Sequence, residues 1–201
     1  LNDAVRRTLR VKAEYGLFKD GGIKQPSCAD AGIRDRAVEQ ICLESARRSV
    51  NVLRCSDGIL PVGRDKKVLL IEQVNPLHKM VNDQSCHPAM LWEKMLKFSD
   101  NVYMVEVNMN VCPADRQRVL DRLEECEIIV ATNYYYRDSE NNTEFLKGLL
   151  KYGKPLVVVT NSPYSYAAAD EFENVIVTYS ASPEAMEFAA EKIFVGPVNK
   201  D

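Results

Sequence analysis

The strongest constraint on this chain is an alternation of two patterns. Short strand-like runs occur at Val68 to Ile71, Val102 to Val107, Ile128 to Ala131, Leu156 to Val159 and Val175 to Val177. Val68 to Ile71 is apolar throughout, as suits a strand covered on both faces. Between the runs the apolar spacing is helical. Pro88 opens a segment whose inner side would carry Leu91, Met95 and Phe98. Pro113 opens another, with Val119, Leu120, Leu123 and Cys126 inward. Proline is tolerated there because an amide in the first helical turn has no partner within the helix. Phe145, Leu146, Leu149 and Leu150 mark a third helix, ended by Gly153, and Met186, Ala189, Ala190 and Ile193 mark the last. Asn51 to Arg54 adds a short strand, and Asp57-Gly58 a tight turn. Strands alternating with helices imply an α/β fold. The expected form is a three-layer α/β/α sandwich with a mainly parallel sheet of five or six strands. Such a fold hosts many functions and does not choose among them.

The first residues follow a different pattern. Leu1, Val5, Leu9 and Ala13 form an apolar stripe on a helix over Asn2 to Tyr15, and Gly16 stops it. A loop with Gly21, Gly22, Pro26 and Gly32 follows. Asp35 starts a second helix, with Val38, Ile41, Cys42, Ser45 and Ala46 as its expected inner face. The division this predicts is a terminal helix and linker over 1–34 and the sandwich over 35–201.

Composition removes several classes of function. Lys plus Arg is 26 and Asp plus Glu is 29, a formal net charge of −3, so no basic nucleic-acid footprint is expected. No apolar run approaches the ~20 residues that span a bilayer, so no membrane partner is expected. The chain starts at Leu1 instead of Met, which is compatible with an origin inside a longer protein. None of the 6 cysteines forms a C-x-x-C pair, which speaks against zinc. Cys42 and Cys126 fall on apolar helix faces, and the expectation is buried thiols in a reducing, cytoplasmic compartment. A secreted disulfide protein is the alternative. No G-x-G-x-x-G, G-x-x-x-x-G-K-[ST] or G-x-S-x-G occurs, which argues against a dinucleotide dehydrogenase, a P-loop enzyme and an α/β-hydrolase. No cofactor and no metal are expected.

Ligands of open α/β sheets gather at the carboxyl ends of the strands. The substrate-proximal candidates by that rule are Glu72, Asn75, His78, Asn108, Asn133, Tyr134 and Ser162. His78 and His87 follow one strand, as members of a binding loop or of the turn into the Pro88 helix; two histidines without a third ligand do not make a metal site. In Asn133-Tyr134-Tyr135-Tyr136-Arg137-Asp138 the tyrosines either face a sugar or pack the loop over the sheet. Asn161-Ser162-Pro163-Tyr164 reads as a proline-fixed turn into a short helix. Glu72 and Asp57 are carboxylate candidates by location alone, and sequence spacing does not place two carboxyls across a glycosidic bond.

Four stretches in order carry a resemblance. Val5-Arg6-Arg7-Thr8-Leu9-Arg10-Val11-Lys12-Ala13-Glu14-Tyr15-Gly16-Leu17-Phe18 resembles the R-x-L-x-x-K-x-x-x-G-L-F stretch of glycoside hydrolase family 3. Ala46 to Arg54 with Asp57 to Val62 resembles that family's A-x-x-S-x-x-L-L-K-N-x-x-x-L-P-L stretch. Lys67 to Ile71 stands where the family has its first sheet strand. Pro163-Tyr164, Tyr179-Ser180, Pro183, Ala189-Ala190 and Gly196 are similar to the ending of its β-N-acetylglucosaminidase branch. Arg54-Cys55 departs from the usual Lys-Asn, and Asn75 to His87 has no counterpart motif.

The resemblance implies the C-terminal domain of a parent whose (β/α)₈ barrel lies N-terminal. The parent's nucleophilic Asp and its K-H-F-P-G-H-G loop would belong to the barrel, so no catalytic residue is carried over to this chain. The implied role is an accessory one, bracing or shaping the cleft of an enzyme that hydrolyses terminal β-linked N-acetylhexosamine. The implied partners are that barrel and, through it, a carbohydrate. The first helix, left without the barrel, would be exposed or paired in a homodimer. The rival readings are a stand-alone sugar- or small-molecule-binding module and a ligand-free scaffold domain.

Overall fold

The computed structural model describes residues 2–19, 36–56, 58–74, 90–135 and 142–196. The chain divides into two compact units, Leu1–Gln40 and Ile41–Asp201.

In the first unit, helix α1 spans Asn2–Glu14 and buries none of its residues. Val5, Leu9 and Val11 are exposed, as are Leu17 and Phe18 just beyond it. Gly16 ends the helix at φ +67°, a left-handed conformation that glycine reaches without a Cβ clash. Helix α2 spans Arg36–Ser49 and ends in the second unit.

The second unit is built on a sheet of β1 (Asn51–Arg54), β2 (Val68–Val74), β3 (Val102–Asn108), β4 (Ile128–Thr132), β5 (Leu156–Thr160) and β6 (Asn174–Val177). Their order is β1-β6-β5-β4-β2-β3, a sheet of 6 strands. Every pair is parallel except β1 with β6, which runs antiparallel from Asn51 opposite Val177. Helices α3 (Met90–Met95), α4 (Pro113–Leu123), α5 (Thr143–Leu149) and α6 (Pro183–Phe194) connect and close the strands.

Strand alternation divides the core in two. Val68, Leu70, Val130, Val157, Val159 and Ile176 point to one face, where Leu91 and Met95 of α3 and Met186, Ala189, Ala190 and Ile193 of α6 cover them. Leu69, Ile71, Ile129, Ala131, Val158 and Val175 point to the other, under Val119 and Leu123 of α4 and Phe145, Leu146 and Leu149 of α5. Period-two alternation with both faces covered makes the three-layer α/β/α sandwich. Arg54, where the resembled motif has Lys, fastens β1 to the turn before β6. Its guanidinium donates to the carbonyls of Phe172 at 2.9 Å, Ala168 at 2.8 Å and Ala169 at 2.6 Å. A planar fork of donors holds several carbonyls at once in a way a single ammonium does not.

Three expectations need correction. On α2 only Ala46 is buried; Val38 and Ile41 are exposed, and so is the Cys42 thiol. The helical spacing shows which side of α2 is apolar, but does not show that anything covers it. Leu150 is exposed and belongs to a 3₁₀ turn after α5, which Gly153 ends at φ +66°. The segment after Pro163 is a hydrogen-bonded turn, with Ala167 and Ala168 N–H donating to the Tyr164 carbonyl, and no helix forms. Cys126 is buried as expected, and burial pushes its thiol pKa up.

Candidate functional site

The chain passes from β2 to β3 on one side and then crosses to β4 on the other. The carboxyl ends of β2 and β4 therefore flank the point where strand order reverses, the usual ligand crevice of an open α/β sheet. Here the protein's own polar groups fill it. Gln73 donates its backbone N–H to Thr132 Oγ1 at 2.7 Å and its side-chain amide to the Met109 carbonyl at 3.3 Å. Its Oε1 accepts the Tyr134 N–H. The Tyr134 ring turns into the core and its hydroxyl meets Met186 Sδ at 2.9 Å.

Asn133 continues the network toward β5. It is fully buried at 0% exposure. Its Nδ2 donates to Thr143 Oγ1 at 2.8 Å and to the Ala167 carbonyl at 2.7 Å, and its Oδ1 accepts the Asn142 N–H at 3.0 Å. Thr160 Oγ1 donates to the Asn133 carbonyl at 2.7 Å and accepts the Ser162 N–H at 3.2 Å. Ser162 Oγ reaches the Tyr166 hydroxyl at 2.9 Å. Among the described residues, no buried side-chain nitrogen or oxygen lacks a partner. A fully satisfied buried network rigidifies the fold.

Glu72 lies one position before Gln73 and is 3% exposed. Its carboxylate accepts the N–H of Leu91 at 2.8 Å and of Trp92 at 3.2 Å, the unpartnered donors that begin α3. Burial raises its pKa to about 7; the two backbone hydrogen bonds oppose the rise, and Glu106 and Glu93 add to it. A carboxyl with a folded pKa above its unfolded one holds its proton more tightly when folded. Its contribution to stability is therefore complete below about pH 4.5 and is lost as pH rises toward 7. The loss is about 3 kcal/mol. Urea melts at pH 5 and pH 8 check this: wild type should lose about 2.5 kcal/mol more than Glu72→Gln over that range. Parallel pH profiles would contradict it.

Asn108 is exposed, and its backbone and side-chain N–H groups donate to Asp115 Oδ2 at 3.2 and 3.1 Å. Burial alone would raise the Asp115 pKa, but the hydrogen bonds from Asn108 and Cys112 outweigh it and hold the carboxyl below its ordinary value. Arg118 pairs with its other oxygen at 2.7 Å.

Glu72, Asn133, Tyr134 and Ser162 thus sit along one sheet edge with their side chains engaged internally. Asn108 lies on the same edge at the end of β3. Asn75, His78, His87, Asp57 and the run from Tyr136 to Asp138 lie outside the described residues. Sequence reasoning missed Gln73, Asn142 and Thr160. The signal was available, since each is a polar residue at or just beyond a buried element, where an unpaired group is costly. Among the described residues no cluster of three His, Cys, Asp or Glu side chains could hold a metal ion. Glu72 and Asp115, the buried carboxyls among the described residues, are each tied to backbone donors, whereas a glycosidase aims two carboxyls at a bond in an open cleft.

No protein-family model matches the chain. No curated protein matches it by sequence. Solved structures do. A glycoside hydrolase family 3 β-N-acetylglucosaminidase from Paenibacillus sp. aligns over 98% of this chain and 37% of its own, with a TM-score of 0.74 at 16% identity. The chain has the fold of the C-terminal part of family 3 glycoside hydrolases. A β-glucosidase from Listeria innocua aligns over 96% of this chain and 30% of its own, with a TM-score of 0.66 at 15% identity. A β-glucoside phosphorylase aligns over 98% and 36%, with a TM-score of 0.67 at 17% identity. The chain spans about a third of the length of these three solved structures. At these identities the likeness is one of fold, and it extends across nearly the whole chain.

Proposed function

We propose that the chain is the non-catalytic C-terminal domain of a glycoside hydrolase that removes terminal β-linked N-acetylhexosamine. The observation that carries this reading is the alignment of 98% of the chain with 37% of a β-N-acetylglucosaminidase, the remainder of which has no counterpart here. Residues 1–34 would be the last helix of a (β/α)₈ barrel and the linker, and 35–201 the domain that braces the barrel's cleft. Two features support the division of labour. Among the described residues, the crevice between the ends of β2 and β4 is filled by buried side chains that hydrogen-bond one another and the backbone. The apolar side chains Val5, Leu9, Leu17 and Phe18 are exposed, as expected of a surface that docks elsewhere.

The test is the coding sequence and its product. A barrel domain, about 250 residues in a typical case, should be encoded immediately upstream. The longer protein should release chromophore from a chromogenic β-N-acetylglucosaminide. A start codon at the position of Leu1, with no barrel before it, would overturn the proposal.

A further inference from the structure

Of the consecutive tyrosines after β4, Tyr134 turns inward and Tyr135 does not. Tyr135 is 42% exposed, and it lies beside Tyr166 at 42% and Tyr164 at 66%, both from the loop after β5. The Tyr135 and Tyr166 ring centroids are 4.6 Å apart with planes tilted 48°, and those of Tyr164 and Tyr166 are 5.8 Å apart, tilted 35°. The rings form a stepped surface at the carboxyl edge of adjacent parallel strands.

The surface is held rigid from below. Tyr135 and Asn161 exchange hydrogen bonds, Tyr135 N–H to Asn161 Oδ1 at 2.8 Å and Asn161 Nδ2 to the Tyr135 carbonyl at 3.0 Å. This clasp ties the loop after β4 to the loop after β5. The Tyr166 hydroxyl meets Ser162 Oγ at 2.9 Å, and the Tyr166 carbonyl accepts from Thr143 Oγ1 at 2.5 Å. The Tyr164 carbonyl is fixed by Ala167 and Ala168 N–H at 2.9 and 2.8 Å. Rings placed in advance lose little freedom when a ligand arrives. Tyrosine offers an apolar face beside a hydroxyl at low entropic cost, which matches a sugar ring with its C–H face and equatorial hydroxyls.

We propose that Tyr135, Tyr164 and Tyr166 form a stacking platform for a pyranose ring of a neutral carbohydrate. The choice of carbohydrate over another flat or apolar ligand rests on the function proposed above. The platform's role is to hold a sugar unit beside the parent's cleft, and no chemistry takes place on it.

Calorimetric titration of the chain with di-N-acetylchitobiose tests it. Saturable binding with a Kd in the millimolar range is expected, as befits a few stacked rings. Tyr164→Ala should weaken binding about tenfold, and Tyr164→Trp should restore it. The melting temperature of both variants should match wild type, because the Tyr164 side chain is largely in solvent. Tyr152→Ala, at an exposed tyrosine on the 3₁₀ turn, should leave affinity unchanged. A titration with no saturable heat, or equal affinity in wild type and Tyr164→Ala, overturns the platform. A parent enzyme that hydrolyses N-acetylglucosaminides while the chain binds no sugar would sink the platform alone. Sugar binding beside an absent barrel would sink the accessory-domain reading alone.

Discussion

Asn133→Ala should destabilise the second unit by about 3 kcal/mol. The side chain removed is 0% exposed and makes three hydrogen bonds, to Thr143 Oγ1, the Ala167 carbonyl and the Asn142 N–H. Each buried partner left without a substitute costs about 1–3 kcal/mol, and Thr143 keeps its bond to the Tyr166 carbonyl, which limits the total. A loss of that size is a large share of the roughly 5–15 kcal/mol that holds a typical domain together. Asn133→Asp should be no better. A carboxylate still accepts from Asn142, but it has no proton to give the Ala167 carbonyl and would face that oxygen as a buried negative charge. Equilibrium urea unfolding reads both values. A loss below about 1 kcal/mol in either variant would mean that water replaces the amide and that the network around Asn133 is not closed to solvent.

That prediction bears on the sequence reading, because Asn133 entered it as a candidate for touching substrate. The strands were legible for a simple reason. Runs such as Val68 to Ile71 and Leu156 to Val159 are apolar at every position, and only a doubly covered strand tolerates that. The ends of those strands were harder. In Glu72 and Gln73 the sequence turns polar while staying buried, so the apolar run ends at Ile71 although β2 continues to Val74. Parity contained part of the answer. Tyr134 keeps step with Ile128 and Val130, which face α3 and α6, and Asn133 keeps step with Ile129 and Ala131, which face α4 and α5. Extending the alternation two residues past the strand would have turned Tyr134 inward. It would not have found the neighbours of Tyr135, which come from the loop after β5 and meet it only in three dimensions. For α2 the failure had a different cause. Amphipathic spacing reports an apolar side, and only the last turn of that helix has a core to bury it in.

The proposed accessory role would separate two kinds of loss. Under that proposal, substitutions inside the buried edge should act on the longer enzyme through stability, lowering yield and melting temperature together. Substitutions at the nucleophile and acid of the proposed barrel should abolish turnover without unfolding this domain. The positions of Glu72 and Asp115 agree with that division. Glu72 is held by Leu91 and Trp92, and Asp115 by Asn108, Cys112 and Arg118, so neither is presented to a glycosidic bond.

The most direct measurement is the rate at which the purified chain, folded and without any barrel, releases chromophore from a chromogenic β-N-acetylglucosaminide. The expected rate is that of the buffer blank. Glycosidases accelerate such reactions by many orders of magnitude, roughly 10⁶-fold at the least, so even feeble intrinsic catalysis would stand clear of the blank. Turnover that persists through purification and falls when Glu72 or Asp115 is replaced would contradict the account.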